Sequence, residues 1–129
     1  MRVCAMLFTF MAKVMLIDDD AFFLRVHSDL LSRLGYELQT YQSPVEALGA
    51  DWHDVMAVVC DLEMPGMRGT ELLAAVRESG ATAAPFLFLT AHDPDDSMLA
   101  TAVRYSADYL PKGTSTRELA TWLASKVQG

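Results

Sequence analysis

Val55-Met56-Ala57-Val58-Val59-Cys60 runs into Asp61-Leu62-Glu63-Met64-Pro65-Gly66-Met67-Arg68-Gly69, and the fold turns on how this stretch is read. Every residue from Val55 to Cys60 is apolar, as in a strand buried on both faces of a parallel sheet. The run stops at a single carboxylate. Pro65 and Gly66 then break the chain before an amphipathic stretch that begins at Thr70.

The same alternation extends in both directions. Val14–Ile17, Tyr36–Tyr41, Phe86–Thr90 and Asp108–Leu110 read as further strands, and the first and fourth of the five are also continuously apolar. After Asp20, Phe23, Val26, Leu30 and Leu34 recur at steps of three and four, and Gly35 supplies a stop. Ser43-Pro44-Val45-Glu46 carries an N-cap, a proline at the first helical position and a capping-box acid. Thr70 to Glu78 forms a third helix that ends near Gly80. Asp93-Pro94 opens a fourth, running to about Tyr105, and Ser115 with Glu118 caps a fifth that carries Leu119, Trp122 and Leu123. Five βα units predict an α/β fold, a doubly wound five-stranded parallel sheet with five helices on its two faces. In such a sheet the reactive crevice lies at the carboxyl ends of the strands.

Composition sets the outer limits. With 129 residues, 52% of them apolar and 21% charged, the chain fills one core and is not disordered. The formal charge of −7, with no run of Lys or Arg, argues against direct nucleic-acid binding. A phosphate-handling site on so acidic a chain needs a cation. Cys4 and Cys60 have no pairable or metal-type spacing, which suits a reducing, cytoplasmic setting. Residues 1–12 are apolar apart from Arg2 and Thr9, too few to span a bilayer and without a good cleavage site. They read as an extension ahead of a domain over 13–127. The functional reading of the same segment is one that packs on the domain or joins two copies.

The strand ends carry the chemistry. Strand one runs into Asp18-Asp19-Asp20, strand three into Asp61, strand four into Thr90-Ala91, and strand five into Pro111-Lys112. One acid after a strand is usually a turn residue or a helix cap. Several carboxylates on one edge are different, because each close like-charge pair costs about 4 kcal/mol at an effective dielectric near 20. A divalent cation offsets that repulsion, and oxygen-only ligands favour Mg²⁺. Lys112 adds a fixed positive charge to the same rim.

Taken together, the acids after strand one, the Asp61 segment, Thr90-Ala91 and Asp108-Tyr109-Leu110-Pro111-Lys112 resemble the signature set of receiver domains of two-component response regulators. The likeness extends over about residues 13 to 127 and fits a single-domain regulator of the chemotaxis type or a receiver cut from a longer protein. It implies a flavodoxin-like sheet with strand order 2-1-3-4-5. It implies that Asp61 is the phosphoacceptor, and that Asp18, Asp19, Asp61 and the Glu63 backbone carbonyl hold Mg²⁺ or Mn²⁺, with Asp19 the direct ligand of the acid pair and Asp18 acting through water. Thr90 matches the hydroxyl that follows the phosphoryl group, Ala91 the small residue that leaves room for it, and Lys112 the cation on a phosphoryl oxygen. Thr90 and Tyr109 match the switch positions, and Glu63 and His92 the positions that tune the lifetime of the phosphorylated state. The implied partners are a sensor histidine kinase or histidine phosphotransfer protein, and a downstream protein or output domain that reads the face formed by helix four, strand five and helix five.

One position departs from the family. Gly113 follows the lysine where the family usually has a proline after a cis bond. A cis bond before a non-proline residue costs about 2.5–4 kcal/mol, so Lys112-Gly113 is expected to be trans, with the loop beyond it rearranged. Two other readings stand beside the main one. A receiver-like module would bind its partner without phosphorylation, and Gly113 is the feature that favours it. Asp18-Asp19-Asp20 also satisfies the Asp-x-Asp pattern of haloacid-dehalogenase-like phosphatases, with Asp18 as nucleophile and Asp20 as general acid. Those enzymes usually need a longer chain, and the pattern leaves Asp61 unexplained. Asp20 otherwise reads as a cap of helix one. His27 reads as facing outward or flanking the core, and His53 as a loop residue.

Overall fold

The computed structural model describes residues 12–127; the apolar segment 1–11 lies outside the described residues. Five strands, β1 (Lys13–Ile17), β2 (Glu37–Tyr41), β3 (Val55–Asp61), β4 (Phe86–Thr90) and β5 (Asp108–Pro111), alternate with five helices. The helices are α1 (Ala21–Arg33), α2 (Pro44–Leu48), α3 (Gly69–Glu78), α4 (Asp96–Tyr105) and α5 (Thr116–Val127). The strands pair in parallel in the order β2-β1-β3-β4-β5, the order implied by the resemblance.

Strand alternation divides the core in two. Met15, Ile17, Val58, Cys60, Phe86 and Phe88 point to one face, where Leu72, Leu73 and Val76 of α3 and Met98 of α4 cover them. Val14, Leu16, Ala57, Val59, Leu87 and Leu89 point to the other, beneath Leu24 and Leu31 of α1 and Leu119 and Leu123 of α5. Each central strand therefore needs apolar residues at nearly every position, which is why β1, β3 and β4 show no polar alternation. Ala12 continues this packing: it is buried, and its carbonyl accepts from the Glu37 N–H at 2.9 Å.

Helix punctuation follows the sequence in most places. Ser43 caps α2 by accepting from the Glu46 N–H, and Ser115 accepts from the Glu118 N–H at the start of α5. Two readings shift. The buried stripe of α1 is Leu24 and Leu31, whereas Leu30 and Leu34 are 39% and 51% exposed. In addition, α4 starts at Asp96 rather than at Asp93-Pro94, because the Asp95 carboxylate is the one that reaches the Met98 N–H, at 2.8 Å.

Candidate functional site

The carboxyl ends of β1 and β3 are neighbours in the sheet, so the acids that end them meet. Asp18 follows β1 and is 1% exposed; Asp61 is the last residue of β3 and is 5% exposed. Asp19 beside them is exposed, and carboxylate oxygens of Asp18, Asp19 and Asp61 all lie within 4.8 Å of one another. Asp20 is apart in function. Its carboxylate accepts from the Phe22 and Phe23 N–H groups at 3.0 and 3.2 Å and caps α1, as the sequence suggests for the third acid. That commitment removes the general acid from the phosphatase reading.

Lys112, just beyond β5, reaches across the sheet ends into this cluster. Its Nζ donates to Asp61 Oδ2 at 2.7 Å and lies 3.4 Å from both Asp18 oxygens. Its backbone N–H donates to the Thr90 carbonyl at 2.9 Å, which fixes where the side chain starts. No peptide bond among the described residues is cis, so Lys112-Gly113 is trans as expected, and the lysine still reaches Asp61.

The electrostatics are those of crowded, half-neutralised acids. Burial raises the Asp18 pKa to about 6, and the Asp61 charge adds to the rise, whereas the Asp20 N–H bond and Lys112 oppose it. Burial likewise raises Asp61, against the pull of Lys112 and the Glu63 N–H. Burial disfavours the Lys112 ammonium, but its bond to Asp61 and the two nearby carboxylate charges outweigh that effect and hold its pKa above the ordinary lysine value. Asp18 Oδ2 remains buried with no hydrogen-bond partner. One lysine facing three carboxylates, with one buried oxygen unsatisfied, is a donor set suited to a hard divalent cation.

Glycine shapes the floor. A Cβ at Gly69 would lie 2.7 Å from the Asp61 carbonyl oxygen, 2.9 Å from Phe88 Cε1 and 3.2 Å from Cys60 Sγ, so only glycine lets α3 start against the end of β3. The Gly69 N–H donates to the Leu62 carbonyl at 2.8 Å and holds that approach.

The remaining sequence-predicted residues lie on the rim. Thr90 ends β4, and its hydroxyl donates to the His92 carbonyl while accepting from the His92 N–H, so it closes the turn that begins there. Ala91 and His92 are exposed, and Glu63 is exposed beside Asp61 with its N–H 3.4 Å from Asp61 Oδ1. Tyr109 is half-buried. Its ring packs on Phe88 at 5.6 Å, and its hydroxyl donates to the Met98 carbonyl in the first turn of α4 at 2.8 Å. Between Thr90, His92, Tyr109 and Pro111 lies an open depression of about 550 Å³.

Three features escaped the sequence reading. Arg68, 3.8 Å from Asp95, links the loop after β3 to the cap of α4. His27 Nδ1 lies 2.7 Å from Thr116 Oγ1 and so joins α1 to α5. The Phe23 ring lies beside both the His27 ring and the Lys112 ammonium. The pairs Arg68–Asp95, His27–Thr116 and Phe23–Lys112 span 27 to 89 positions of sequence, and no local pattern signals them.

The model of the response regulator receiver domain matches residues 14–124. The chain belongs to that family. Members of the family accept a phosphoryl group on an aspartate, and this receiver domain is part of the two-component signalling repertoire. It is 31% identical over 109 residues to the transcriptional regulatory protein CpxR homolog of Haemophilus influenzae, covering 84% of this chain and 47% of that protein. It is 32% identical over 119 residues to the response regulator protein FleR of Pseudomonas aeruginosa, covering 92% of this chain and 25% of that protein. The receiver thus spans half or less of the length of these curated relatives. Among solved structures, chemotaxis protein CheY4 of Vibrio cholerae matches with a TM-score of 0.79 and 28% identity, covering 90% of this chain and 98% of that one. A receiver domain from Methanospirillum hungatei, at 22% identity and a TM-score of 0.80, shares the fold. Among the described residues no helix is long and apolar enough to cross a membrane.

Proposed function

We propose that residues 13–127 act as a phosphorylatable switch in which Asp61 takes the phosphoryl group. One observation carries the reading: Asp61 is nearly buried at the end of β3, with Lys112 Nζ at 2.7 Å and Asp18 and Asp19 in the same carboxylate cluster.

The chemistry asks little of Asp61 beyond position. A carboxylate oxygen attacks the phosphorus of a phosphohistidine donor in line, an O–P bond forms, and the N–P bond breaks with its electron pair passing to the imidazole. Lys112 leaves its ion pair with Asp61 to hold a phosphoryl oxygen, so its charge follows the transferring group. Asp18, Asp19, Asp61 and the Glu63 carbonyl are the residues that would hold Mg²⁺ or Mn²⁺, which supplies further neutralisation of the phosphoryl oxygens when bound. The acyl phosphate is then open to water, and exposed Glu63 and His92 tune that attack. This domain therefore assists both its own phosphorylation and its own dephosphorylation.

The readout runs through Thr90 and Tyr109. Drawing the Thr90 hydroxyl toward a phosphoryl oxygen breaks its bonds in the turn to His92 and frees Ala91 to move with it. Tyr109 is tied to α4 through Met98, so a shift of that turn alters the α4-β5-α5 face. The donor is a sensor histidine kinase or histidine phosphotransfer protein in the cytoplasm, and the reader is a downstream protein or output domain rather than nucleic acid.

Intact mass after incubation with phosphoramidate and Mg²⁺ tests the reading. Wild type gains one phosphoryl group, and Asp61→Asn, or wild type in EDTA, gains none. Equal uptake by Asp61→Asn overturns it.

A further inference from the structure

The loop after β5 lacks the local means to aim Lys112. Gly113 is exposed, its peptide with Lys112 is trans, and a Cβ at that position would meet nothing within 4 Å. Within the loop, the turn is closed by the Thr114 N–H on the Pro111 carbonyl at 3.0 Å. Yet Lys112 Nζ sits 2.7 Å from Asp61 Oδ2. The Thr90 carbonyl holds its backbone and the carboxylates of Asp61 and Asp18 hold its tip, which leaves the side chain between them to be steered from outside the loop.

Helix α1 provides the contacts. Lys112 Nζ lies over the Phe23 ring, 5.9 Å from its centroid, within the range at which an aromatic face attracts an ammonium. The Phe23 ring in turn packs on the His27 ring with centroids 4.2 Å apart. His27 Nδ1 is hydrogen-bonded at 2.7 Å to Thr116 Oγ1, on the first residue of α5, only four positions after Lys112. Phe23 itself is fixed at the other end, because its N–H is one of the two that Asp20 caps. The first two turns of α1, which follow directly from the acids, thus touch the Lys112 loop at both ends: the ammonium through Phe23, and the start of α5 through His27.

We propose that Phe23 and His27 are positioning residues for Lys112, an α1 brace that takes the place of rigidity in the loop at Gly113. This rests on Lys112 acting at the phosphoryl site. Phe23 gives the ammonium an apolar, electron-rich surface that favours the extended conformer reaching Asp61. The His27–Thr116 bond keeps α5, and with it the loop, from drifting off α1.

Two readouts test the brace. The first needs no phosphorylation: the Lys112 ε-protons, observed by NMR in metal-free protein, show an upfield ring-current shift in wild type and in Phe23→Tyr, and lose it in Phe23→Leu. Thr116→Val, isosteric and removing only the hydroxyl that bonds His27, moves them part of the way. Unchanged Lys112 resonances in Phe23→Leu and Thr116→Val overturn the proposal. The second is a double-mutant cycle on the rate of phosphoryl uptake from phosphoramidate. Phe23→Leu slows wild type about three- to fivefold, the kinetic size of one such contact, and Phe23→Tyr stays near wild type. In a Lys112→Ala background Phe23→Leu costs nothing further, whereas additive losses overturn the brace. A wild type that takes up no phosphoryl group overturns the acceptor reading instead, and the Lys112 resonances still decide the brace.

Discussion

Lys112 Nζ and Asp61 Oδ2 are 2.7 Å apart, and this is the shortest ion pair among the described residues. The pair joins β5 to β3 across the intervening β4, and the one ammonium, 3.4 Å from Asp18 as well, neutralises only part of the three-carboxylate cluster. Removing the lysine leaves two buried carboxylates facing each other. Lys112→Met is therefore expected to destabilise the metal-free domain by about 1–3 kcal/mol, an effect that Mg²⁺ largely restores. Urea melts with and without Mg²⁺ measure it. A variant as stable as wild type without metal contradicts the expectation.

Asp18 works in the opposite sense. Its pKa in the folded state is raised to about 6 from an ordinary 3.8, chiefly by burial. The fold therefore favours the protonated acid: the contribution to stability is complete below about pH 4 and lost as pH rises through about 6. Without metal, Asp18→Asn should match wild type near pH 4 and exceed it by about 1–3 kcal/mol at pH 7, the change falling between those values. Thermal melts of both proteins across that range give the difference directly. A constant difference across the range rules out Asp18 as the source. Mg²⁺ stabilisation should fade over the same interval as pH falls.

Gly69 and Gly113 make a matched pair of controls. Gly69→Ala forces a methyl group onto the Asp61 carbonyl and Phe88, so a loss of about 1–3 kcal/mol is expected, with slower phosphoryl uptake. Gly113→Ala meets open space and should stay within about 0.5 kcal/mol of wild type. Equal effects at the two positions would mean that the packing around Asp61 is looser than described.

Tyr109→Phe removes the hydroxyl that holds the Met98 carbonyl. The expected cost is about 0.5–1.5 kcal/mol, concentrated in α4 rather than spread over the sheet. Hydrogen exchange at the α4 amides is the measurement. Faster exchange confined to α4 supports a Tyr109 tether, and unchanged α4 protection removes it.

Much of this was legible from the chain alone, because strands buried on both faces must be apolar throughout and the acids mark where they stop. Asp18, Asp19, Asp61, Thr90 and Lys112 all end or follow a strand, and parallel pairing puts strand ends on one edge. Helix phase was harder. In α1, Phe23-Val26-Leu30-Leu34 and Leu24-His27-Leu31 both fit a helical period, and the polar histidine disguised the series that faces the sheet. The start of α4 was ambiguous because Asp93, Asp95 and Asp96 all make acceptable caps; only geometry shows that Asp95 reaches the Met98 N–H. Contacts between distant segments, such as His27 with Thr116 and Arg68 with Asp95, leave no periodic trace.

The central claim is that the phosphoryl group resides on Asp61, and trapping the acyl phosphate tests it most directly. Wild type is treated with phosphoramidate and Mg²⁺, reduced with borohydride, digested and sequenced by mass spectrometry. An acyl phosphate on Asp61 is converted to homoserine, so homoserine at position 61 is expected, absent when EDTA is included. Homoserine at Asp18 or Asp19, or none anywhere in protein whose mass has risen, would contradict the assignment.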